Sequence, residues 1–344
     1  MNNLQHFLSA YASRAPRRFH MPGHHGRDFP WLAGPSRDIT EIPGADDLSS
    51  PTGFLLALKN RIAAIYGAQE AFISVQGSTL GLQAAILALT NENKTALVGD
   101  NCHRAVFGGL ELARTQAVMI SPLPSADELE AQLKQTNAKT VILTRPTYSG
   151  LCGDCEGWAA ACHEAGAKLL IDEAHGAHLA FCNALPKPAL KCGADAVVCS
   201  AHKTLPAPGQ TAWALAATED IAARITHYIN LLQTTSPSYI LLAGLEGAVD
   251  FALNHGKANI EKILPACHSF AARMKALGLA PPEDNNLLKD PTRLIVKTPH
   301  AQALYNHLSQ NGFEMEAVHG DLLIGIATMA DEPEDIAALE EAIT

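Results

Sequence analysis

A lysine follows directly on an apolar run in this chain. Residues 196–199 read Ala-Val-Val-Cys, and Ser200, His202 and Lys203 come immediately after them. Burial at the end of a strand lowers the pKa of a lysine, so that part of its amine is unprotonated at neutral pH. Such an amine can form a Schiff base with a cofactor aldehyde. Taken alone, the fragment is equally consistent with a solvated loop lysine.

An acid and an imidazole follow a second apolar run. Residues 169–171 read Leu-Leu-Ile, Asp172 comes next, and His175 lies three positions later. Ligands of open α/β sheets bind at the carboxyl ends of the strands. A carboxylate there can keep a pyridine nitrogen protonated, which makes the ring a stronger electron sink. For Asp172 alone, Mg²⁺ binding and capping of a helix are the alternatives.

A small polar turn separates the apolar run 71–75 from a helical stretch at 82–89. The turn contains Gly77, Ser78 and Thr79. A helix N-terminus with free amides and two hydroxyls can bind a phosphate, and the glycine allows a close backbone approach. An ordinary Ser/Thr N-cap is the alternative interpretation.

An imidazole follows a fourth apolar run, because His103 comes after residues 96–99. It could stack on an aromatic cofactor or transfer protons near neutral pH, or it could be structural. With Lys203, Asp172 and the polar turn, it completes a set of four fragments. All four are predicted at the same edge of one sheet, which makes a chance combination improbable.

The elements that must hold these side chains form an α/β pattern. Apolar runs and helical stretches alternate over residues 71–217, which is typical of a mostly parallel sheet covered by helices on both faces. Strands are predicted at 96–99, 117–121, 140–144, 168–172, 195–199 and 211–217. A helix is predicted to begin after Ser125, because Ser125 and Glu128 have the spacing of a capping box.

Three regions are predicted along the chain. Residues 1–54 are rich in His, Pro and Gly and form an N-terminal arm, and residues 55–254 form the large cofactor-binding domain. Residues 255–344 form a small α+β domain. Its predicted elements are helices at 260–277, 301–311 and from 332, with strands at 292–297, 313–318 and 322–326.

Composition excludes several classes of protein. The 344 residues carry a net charge of −10, with 47% hydrophobic and 17% charged residues. Nucleic acid and membrane partners are not expected, and the chain is predicted to be cytoplasmic. The eight cysteines are predicted to be reduced thiols. Cys152 and Cys155, followed by Cys162 and His163, lack the second short-spaced pair of a zinc site, so no metal is predicted.

A series of short motifs runs through roughly the first 250 residues. They are Phe19-His20-Met21-Pro22-Gly23-His24, Gly44-Ala45-Asp46-Asp47-Leu48 with Pro51 and Gly53, Gly77-Ser78-Thr79, Asn101-Cys102-His103, Arg145-Pro146-Thr147-Tyr148, Asp172-Glu173-Ala174-His175-Gly176-Ala177-His178, Ser200-Ala201-His202-Lys203-Thr204-Leu205-Pro206 and Gln233-Thr234-Thr235-Ser236-Pro237-Ser238-Tyr239. In these motifs the chain resembles the Orn/Lys/Arg decarboxylases. These are pyridoxal-phosphate enzymes of the aspartate-aminotransferase-like fold, fold type I.

The resemblance implies a role for each motif residue. Lys203 would be the Schiff-base lysine, Asp172 would pair with the pyridine nitrogen, and His103 would stack on the ring. The phosphate would be held by the turn beginning at Gly77. The residues implied there are Ser78 and Thr79, with Ser200 and His202 assisting, while His175 would lie near the cofactor.

The resemblance also implies the assembly and the fold. Thr235 and Ser236 would reach the phosphate of a neighbouring subunit, so that the active site needs a homodimer or a higher oligomer. The fold would be a seven-stranded, mostly parallel sheet with a small C-terminal domain.

The reaction implied is decarboxylation of lysine, ornithine or arginine to an amine and carbon dioxide. Transamination or lyase chemistry is an alternative, with Arg293 as the candidate that would grip a substrate carboxylate. A non-catalytic relative with a regulatory or binding role is another. For a basic substrate, the distal cation needs an acid, and Glu314, Glu316, Asp46 and Asp47 are candidates, unless they are ordinary surface acids.

Overall fold

The computed structural model of the chain describes residues 17–19, 46–90, 94–282 and 287–344. The motif residues 20–24 and 44–45, together with most of the predicted N-terminal arm, lie outside these ranges. The proposed limits of the three regions therefore stay predictions.

Fourteen strands lie within the described part of the chain. They are β1 (Arg17–Phe19), β2 (Glu70–Ser74), β3 (Thr95–Gly99), β4 (Gln116–Ile120), β5 (Thr140–Thr144), β6 (Leu151–Cys152), β7 (Lys168–Asp172), β8 (Ala196–Ser200), β9 (Ala212–Ala216), β10 (Leu288–Lys289), β11 (Arg293–Lys297), β12 (Phe313–Met315), β13 (Ala317–His319) and β14 (Leu322–Ile326).

Seven of these strands form the central sheet, in the order β2-β9-β8-β7-β5-β3-β4. Only β9 runs antiparallel to its neighbours; the other pairings are parallel. Strands β5, β8 and β9 are buried along their whole length, as expected for a sheet covered on both faces. The predicted seven-stranded, mostly parallel α/β fold is confirmed, with strand ends within a residue or two of the expected positions.

Eleven α-helices are described. They are α1 (Phe54–Tyr66), α2 (Gly77–Leu89), α3 (Arg104–Ala113), α4 (Ala126–Thr136), α5 (Cys155–Glu164), α6 (Ala201–Thr204), α7 (Glu219–Leu232), α8 (Tyr239–Phe251), α9 (Lys257–Ala276), α10 (Ala301–Gln310) and α11 (Pro333–Ile343), with 3₁₀ turns at Ala177–Phe181 and Ala189–Cys192 and a π-helical segment at Ala252–Gly256.

Two apolar cores cover the central sheet, one on each face. Alternate strand residues point to opposite faces, so Leu97 and Ile171 enter one core while Val98 and Leu170 enter the other. Helices α2, α3 and α7 cover the second face. Helices α1, α4, α5 and α8 contribute to the first, where Trp158 is fully buried.

Two helix starts test the sequence predictions. The capping box before α4 is confirmed, because the Ser125 hydroxyl accepts from the Glu128 amide and the Glu128 carboxylate accepts from the Ser125 amide. Helix α2 begins earlier than predicted, at Gly77 rather than near residue 82. Ser78 and Thr79 consequently lie in the first helical turn.

A smaller unit surrounds a third core in the last ninety or so residues. It combines the antiparallel sheet β11-β14-β13 with a separate parallel pair, in which β1 lies beside β12. Phe19 on β1 is only 1% exposed and packs into this core. The single strand predicted at 313–318 is wrong, because β12 pairs with β1 and β13 pairs with β14. Glu316 lies at the point where the chain changes partners.

Candidate active site

The pairing of the central strands brings the four segments with candidate site residues to one edge of the central sheet. Strands β3, β7 and β8 are parallel, and β2 runs in the same direction because β9 is antiparallel to both β2 and β8. Ser74 and Ser200 both pair with Ala212 of β9. The segments that follow β2 and β8 therefore start side by side.

Lys203 lies in the short helix α6, directly after β8. Its Nζ is 3.1 Å from His175 Nε2, and the side chain is half-buried. Burial lowers the pKa of Lys203, and the carboxylates of Asp172 and Glu316 partly oppose that shift. A fully solvated loop lysine does not fit this contact.

Asp172 ends β7 and is only 2% exposed. Burial raises the pKa of its carboxyl, while the positive charge of Lys203 and the Ala174 amide, which donates to Oδ1 at 3.1 Å, act in the opposite direction. Capping of a helix is wrong for Asp172, because Gly176 is the N-cap of the following 3₁₀ turn. Within the described ranges, no group of three or more His, Cys, Asp or Glu residues could hold a metal ion.

His103 is the N-cap of α3, and its Nδ1 accepts from the Ala105 amide at 3.2 Å. This bond leaves the proton of the neutral ring on Nε2. Burial lowers the pKa of His103, whereas the charge of Asp172 raises it. His103 thus has a structural role as a cap, and it also lies within electrostatic range of Asp172 and Lys203.

The polar turn after β2 forms the start of α2. Gly77 has a φ of +74°, which favours glycine, and its amide donates to the Gln210 carbonyl at 2.7 Å. The Ser200 hydroxyl donates to Ser78 Oγ at 2.9 Å. The N-cap is Gln76, so the interpretation of this turn as an ordinary Ser/Thr cap is wrong.

His202 and the segment containing Thr235 and Ser236 lie near the same edge. His202 Nδ1 lies 2.9 Å from the Thr211 carbonyl, so Nδ1 carries the proton there. The Thr234 amide donates to Gln76 Oε1 at 2.6 Å, which ties this segment to the start of α2 in the same chain. Thr235 and Ser236 are exposed. Their contribution to a neighbouring subunit stays a prediction.

Sequence reasoning gave no role to Tyr148, which links the site to the smaller unit. The Tyr148 hydroxyl donates to Glu316 Oε1 at 2.8 Å, and its ring meets the edge of the His175 ring at 5.1 Å between centroids. The contacts form a chain from Glu316 through Tyr148 and His175 to Lys203. Tyr148 was visible in a motif, but a contact across 168 sequence positions has no local signal.

Buried ion pairs contact the backbone of the site at His175. Arg293 is 2% exposed, lies 3.5 Å from Asp290 Oδ2 and donates to the His175 carbonyl at 2.7 Å. Asp290 also lies 3.1 Å from His178 Nε2, and His178 and Arg293 hold the pKa of Asp290 well below its ordinary value despite burial. The sequence suggested Arg293 as a carboxylate-binding group, but its guanidinium is fully enclosed by protein.

The donor set at this edge fits pyridoxal phosphate. The start of α2 offers helix amides and the Ser78 hydroxyl to an anion, and α2 has no acidic residue in its first turn to compete. Asp172 supplies a buried carboxylate for a protonated ring nitrogen, and Lys203 supplies a partly desolvated amine. His175 Nδ1 is buried and has no hydrogen-bond partner among the described residues.

The fold and the donor set define the class of fold-type I pyridoxal-phosphate enzymes. The chain belongs to the Orn/Lys/Arg decarboxylase family, because the family model described as "Orn/Lys/Arg decarboxylase, major domain" matches residues 3–314. Its cofactor is pyridoxal 5'-phosphate. Within the described residues, no helix is both long and apolar enough to cross a membrane.

Curated relatives support this membership. An uncharacterized protein of Bacillus subtilis, YaaO, is 32% identical over 323 residues, which are 87% of this chain and 67% of YaaO. An arginine decarboxylase of the same organism is 27% identical over 372 residues, which are 98% of this chain and 75% of the relative.

Solved structures show the same fold. Lysine decarboxylase A from Pseudomonas aeruginosa superposes with a TM-score of 0.76 at 17% identity, covering 89% of this chain. The chain spans about half of that protein, 52% of its length. A serine palmitoyltransferase from S. paucimobilis superposes with a TM-score of 0.71 at 15% identity, covering 85% of this chain and 76% of that one.

Proposed function

We propose that this chain is a pyridoxal-phosphate-dependent decarboxylase of a basic amino acid, which releases carbon dioxide and an amine. Arginine is the first substrate to test because several curated relatives are named arginine decarboxylases. The observation that carries the proposal is the partly buried Lys203 amine, 3.1 Å from His175 and in the field of Asp172, beside the anion-binding start of α2.

The residues of this chain have separate tasks in the proposed reaction. Pyridoxal phosphate, when bound, would supply the electron sink that lets the substrate carboxylate leave as carbon dioxide. Lys203 holds the cofactor between turnovers, and its Nζ returns a proton to the α-carbon after carbon dioxide has left. Asp172 would keep the ring nitrogen of the bound cofactor protonated, and His103 would pack on the ring.

The four acids considered for the distal cation of the substrate differ in their surroundings. Asp46 accepts from the backbone amides of Thr52, Gly53 and Leu55, so it organises the turn before α1. Asp47 accepts from Ser49, and Glu314 accepts from the Ser309 hydroxyl. These three acids therefore have local structural partners.

Glu316 is the acid that lies close enough to Lys203 to influence its pKa. One of its oxygens accepts from Tyr148, which fixes the direction of the carboxylate. We therefore assign the recognition of the substrate's distal ammonium or guanidinium to Glu316. Bidentate pairing favours guanidinium, whereas an ammonium would bind as a point charge.

Transamination has no specific support in the geometry. Its candidate residue, Arg293, is enclosed by Asp290, Thr292 and the His175 carbonyl. A guanidinium already paired and buried in this way is not available to grip a substrate carboxylate without breaking those contacts.

The test is the visible spectrum of the purified protein with pyridoxal phosphate, followed by carbon dioxide release from arginine, lysine and ornithine. We expect an absorption band that is lost in Lys203→Ala, and carbon dioxide from at least one substrate. Lys191→Ala, which changes a lysine outside the site, is the matched control and should keep the band. If the unmodified protein shows the band but releases no carbon dioxide from any of the three substrates, the proposed reaction is refuted. If the unmodified protein shows no band, the assignment of Lys203 is refuted.

A further inference from the structure

Two cysteines that are distant in sequence, Cys155 and Cys192, lie beside the same segment of the chain, residues 187–189. Cys155 begins α5, and Cys192 ends the 3₁₀ turn Ala189–Cys192. Cys155 Sγ lies 3.9 Å from the Ala189 carbonyl, and Cys192 Sγ lies 3.7 Å from the Lys187 carbonyl. Both sulfurs therefore contact the same short segment, and the two thiols lie close enough to shift each other's pKa.

The cysteine nearest to Cys155 in the sequence, Cys152, has a different contact. Cys152 and Cys155 form a CxxC, but Cys152 Sγ turns toward the Gly150 carbonyl at 3.8 Å. Cys152 belongs to β6, whereas Cys155 lies in the first turn of α5. The neighbour of Cys155 in space is Cys192.

The two thiols have unequal surroundings. Cys155 is 2% exposed, whereas Cys192 is partly exposed to solvent. The neighbouring Cys155 thiol lowers the pKa of Cys192, and the cations of Arg145 and Lys187 add to that effect. The neighbouring Cys192 thiol and burial raise the pKa of Cys155. The thiolate therefore forms on the more accessible sulfur, as a reactive cysteine requires.

We propose that Cys155 and Cys192 form a redox-active dithiol site, which a peroxide converts into an intramolecular disulfide. The Cys192 thiolate attacks a peroxide oxygen and breaks the O–O bond, which gives a sulfenic acid and, after protonation of the leaving oxygen, water or an alcohol. The Cys155 sulfur then attacks the sulfenic sulfur, the S–S bond forms and water leaves. The pair loses two electrons, and the peroxide gains them.

The dithiol site is separate from the candidate active site. The Lys187 carbonyl that contacts Cys192 also accepts from Arg145 Nη1 at 2.8 Å, and Arg145 lies 3.6 Å from the buried Glu173. Arg145 and Glu173 thus stand between the two cysteines and Asp172. Reversal requires only a dithiol reductant, by thiol–disulfide exchange.

The experiment treats the full chain, loaded with pyridoxal phosphate, with a small molar excess of hydrogen peroxide. Free thiols are then alkylated, and the digested protein is mapped by mass spectrometry with and without prior dithiothreitol. We expect a Cys155–Cys192 linked peptide, a loss of two of the eight thiols, and full recovery after reduction. Cys192→Ser should abolish the link, whereas the matched control Cys152→Ser should retain it.

Three results would overturn the proposal. They are the absence of any linked peptide, a link between Cys152 and Cys155, and a link that joins two chains. The mapping is decisive on the unmodified protein, so it does not depend on whether a serine variant folds. Cys267, which is buried in the smaller unit, serves as an internal control and should remain a free thiol throughout.

Discussion

Opposing influences act on the Lys203 amine. Burial favours its neutral form, while Asp172 and Glu316 favour its ammonium form. His175, 3.1 Å away, has a pKa well below its ordinary value because of its burial and the neighbouring cations, so its ring is neutral at pH 7. A neutral imidazole can accept a hydrogen bond from the amine, which fixes the direction of Lys203 Nζ.

Glu316→Gln tests the assignment of substrate recognition. We expect the KM for the preferred basic substrate to rise about 10- to 100-fold, because a charge-assisted bond of about 1.5–3 kcal/mol is lost. The absorption band of the cofactor should remain. Steady-state kinetics give the measurement, and Glu314→Gln, two residues away, is the matched control with little expected change. An unchanged KM in Glu316→Gln would remove the assignment.

Glu173 predicts a pH dependence of stability. Burial raises the pKa of Glu173 from 4.5 to about 8, although Arg145 and the Ala189 amide favour its charged form. The folded protein therefore holds a proton that the unfolded chain releases above about pH 4.5. The resulting stabilisation is complete below pH 4.5 and is lost as the pH rises through about 8.

The Glu173→Gln variant should lack this slope. Between pH 6 and pH 9 its Tm should fall less than that of the unmodified protein, since glutamine has no proton to release. Thermal denaturation at several pH values measures the difference, with the exposed Glu164→Gln as the control. Parallel curves for the Glu173 variant and the unmodified protein would mean that Glu173 is ionised throughout, as the partner of Arg145.

At the scale of the elements, the sequence predicted what is local and periodic. The capping box of α4 and the apolar runs of the central strands follow from spacing within a few residues, and both are confirmed. The start of α2 was missed because Gly77 adopts a positive φ held by the Gln210 carbonyl, a partner more than a hundred residues away. The break at Glu316 was missed for the same reason, since β1 takes one half of the predicted strand.

Ser125→Ala tests the contribution of the capping box. Loss of the hydroxyl leaves the Glu128 amide without its cap, and we expect the free energy of unfolding to fall by about 1 kcal/mol. Urea denaturation measures the change. Ser269→Ala, an exposed substitution within α9, is the control; it should leave stability unchanged or raise it slightly, because alanine is the better helix former.

At the scale of the whole molecule, the site gathers residues that lie far apart in the chain. Residues 77–79, 103, 172–175, 200–203 and 316 meet at one sheet edge, and the order of the strands explains the first four of these groups. The alternation of strands and helices in the sequence does not by itself give the order of the strands in the sheet. That order can be predicted only after a particular fold has been assumed. The fifth group depends on how the smaller unit packs, which no local pattern encodes.

A mixing experiment tests whether sites are shared between subunits. Lys203→Ala and the double variant Thr235→Ala/Ser236→Ala should each have low activity alone. Hybrid dimers of the two should regain activity, because one of their two sites then has an intact lysine and an intact neighbouring segment. Tagged co-expression followed by assay measures the recovery.

Hybrids of Lys203→Ala with Asp172→Asn are the matched control. Both residues serve the site of their own chain in the proposed arrangement, so no hybrid site is intact and activity should stay low. Recovery in this control, or none in the first mixture, would contradict a shared site.

The pairing of β1 with β12 has a consequence for synthesis on the ribosome. Phe19 leaves the exit tunnel about 300 residues before its partner strand. At roughly 5–20 residues per second, the wait lasts about 15–60 s. During that time the nascent chain carries an unpaired strand whose phenylalanine is destined for a buried core. The smaller unit is therefore completed only after translation has passed residue 315, long after the central sheet has been made.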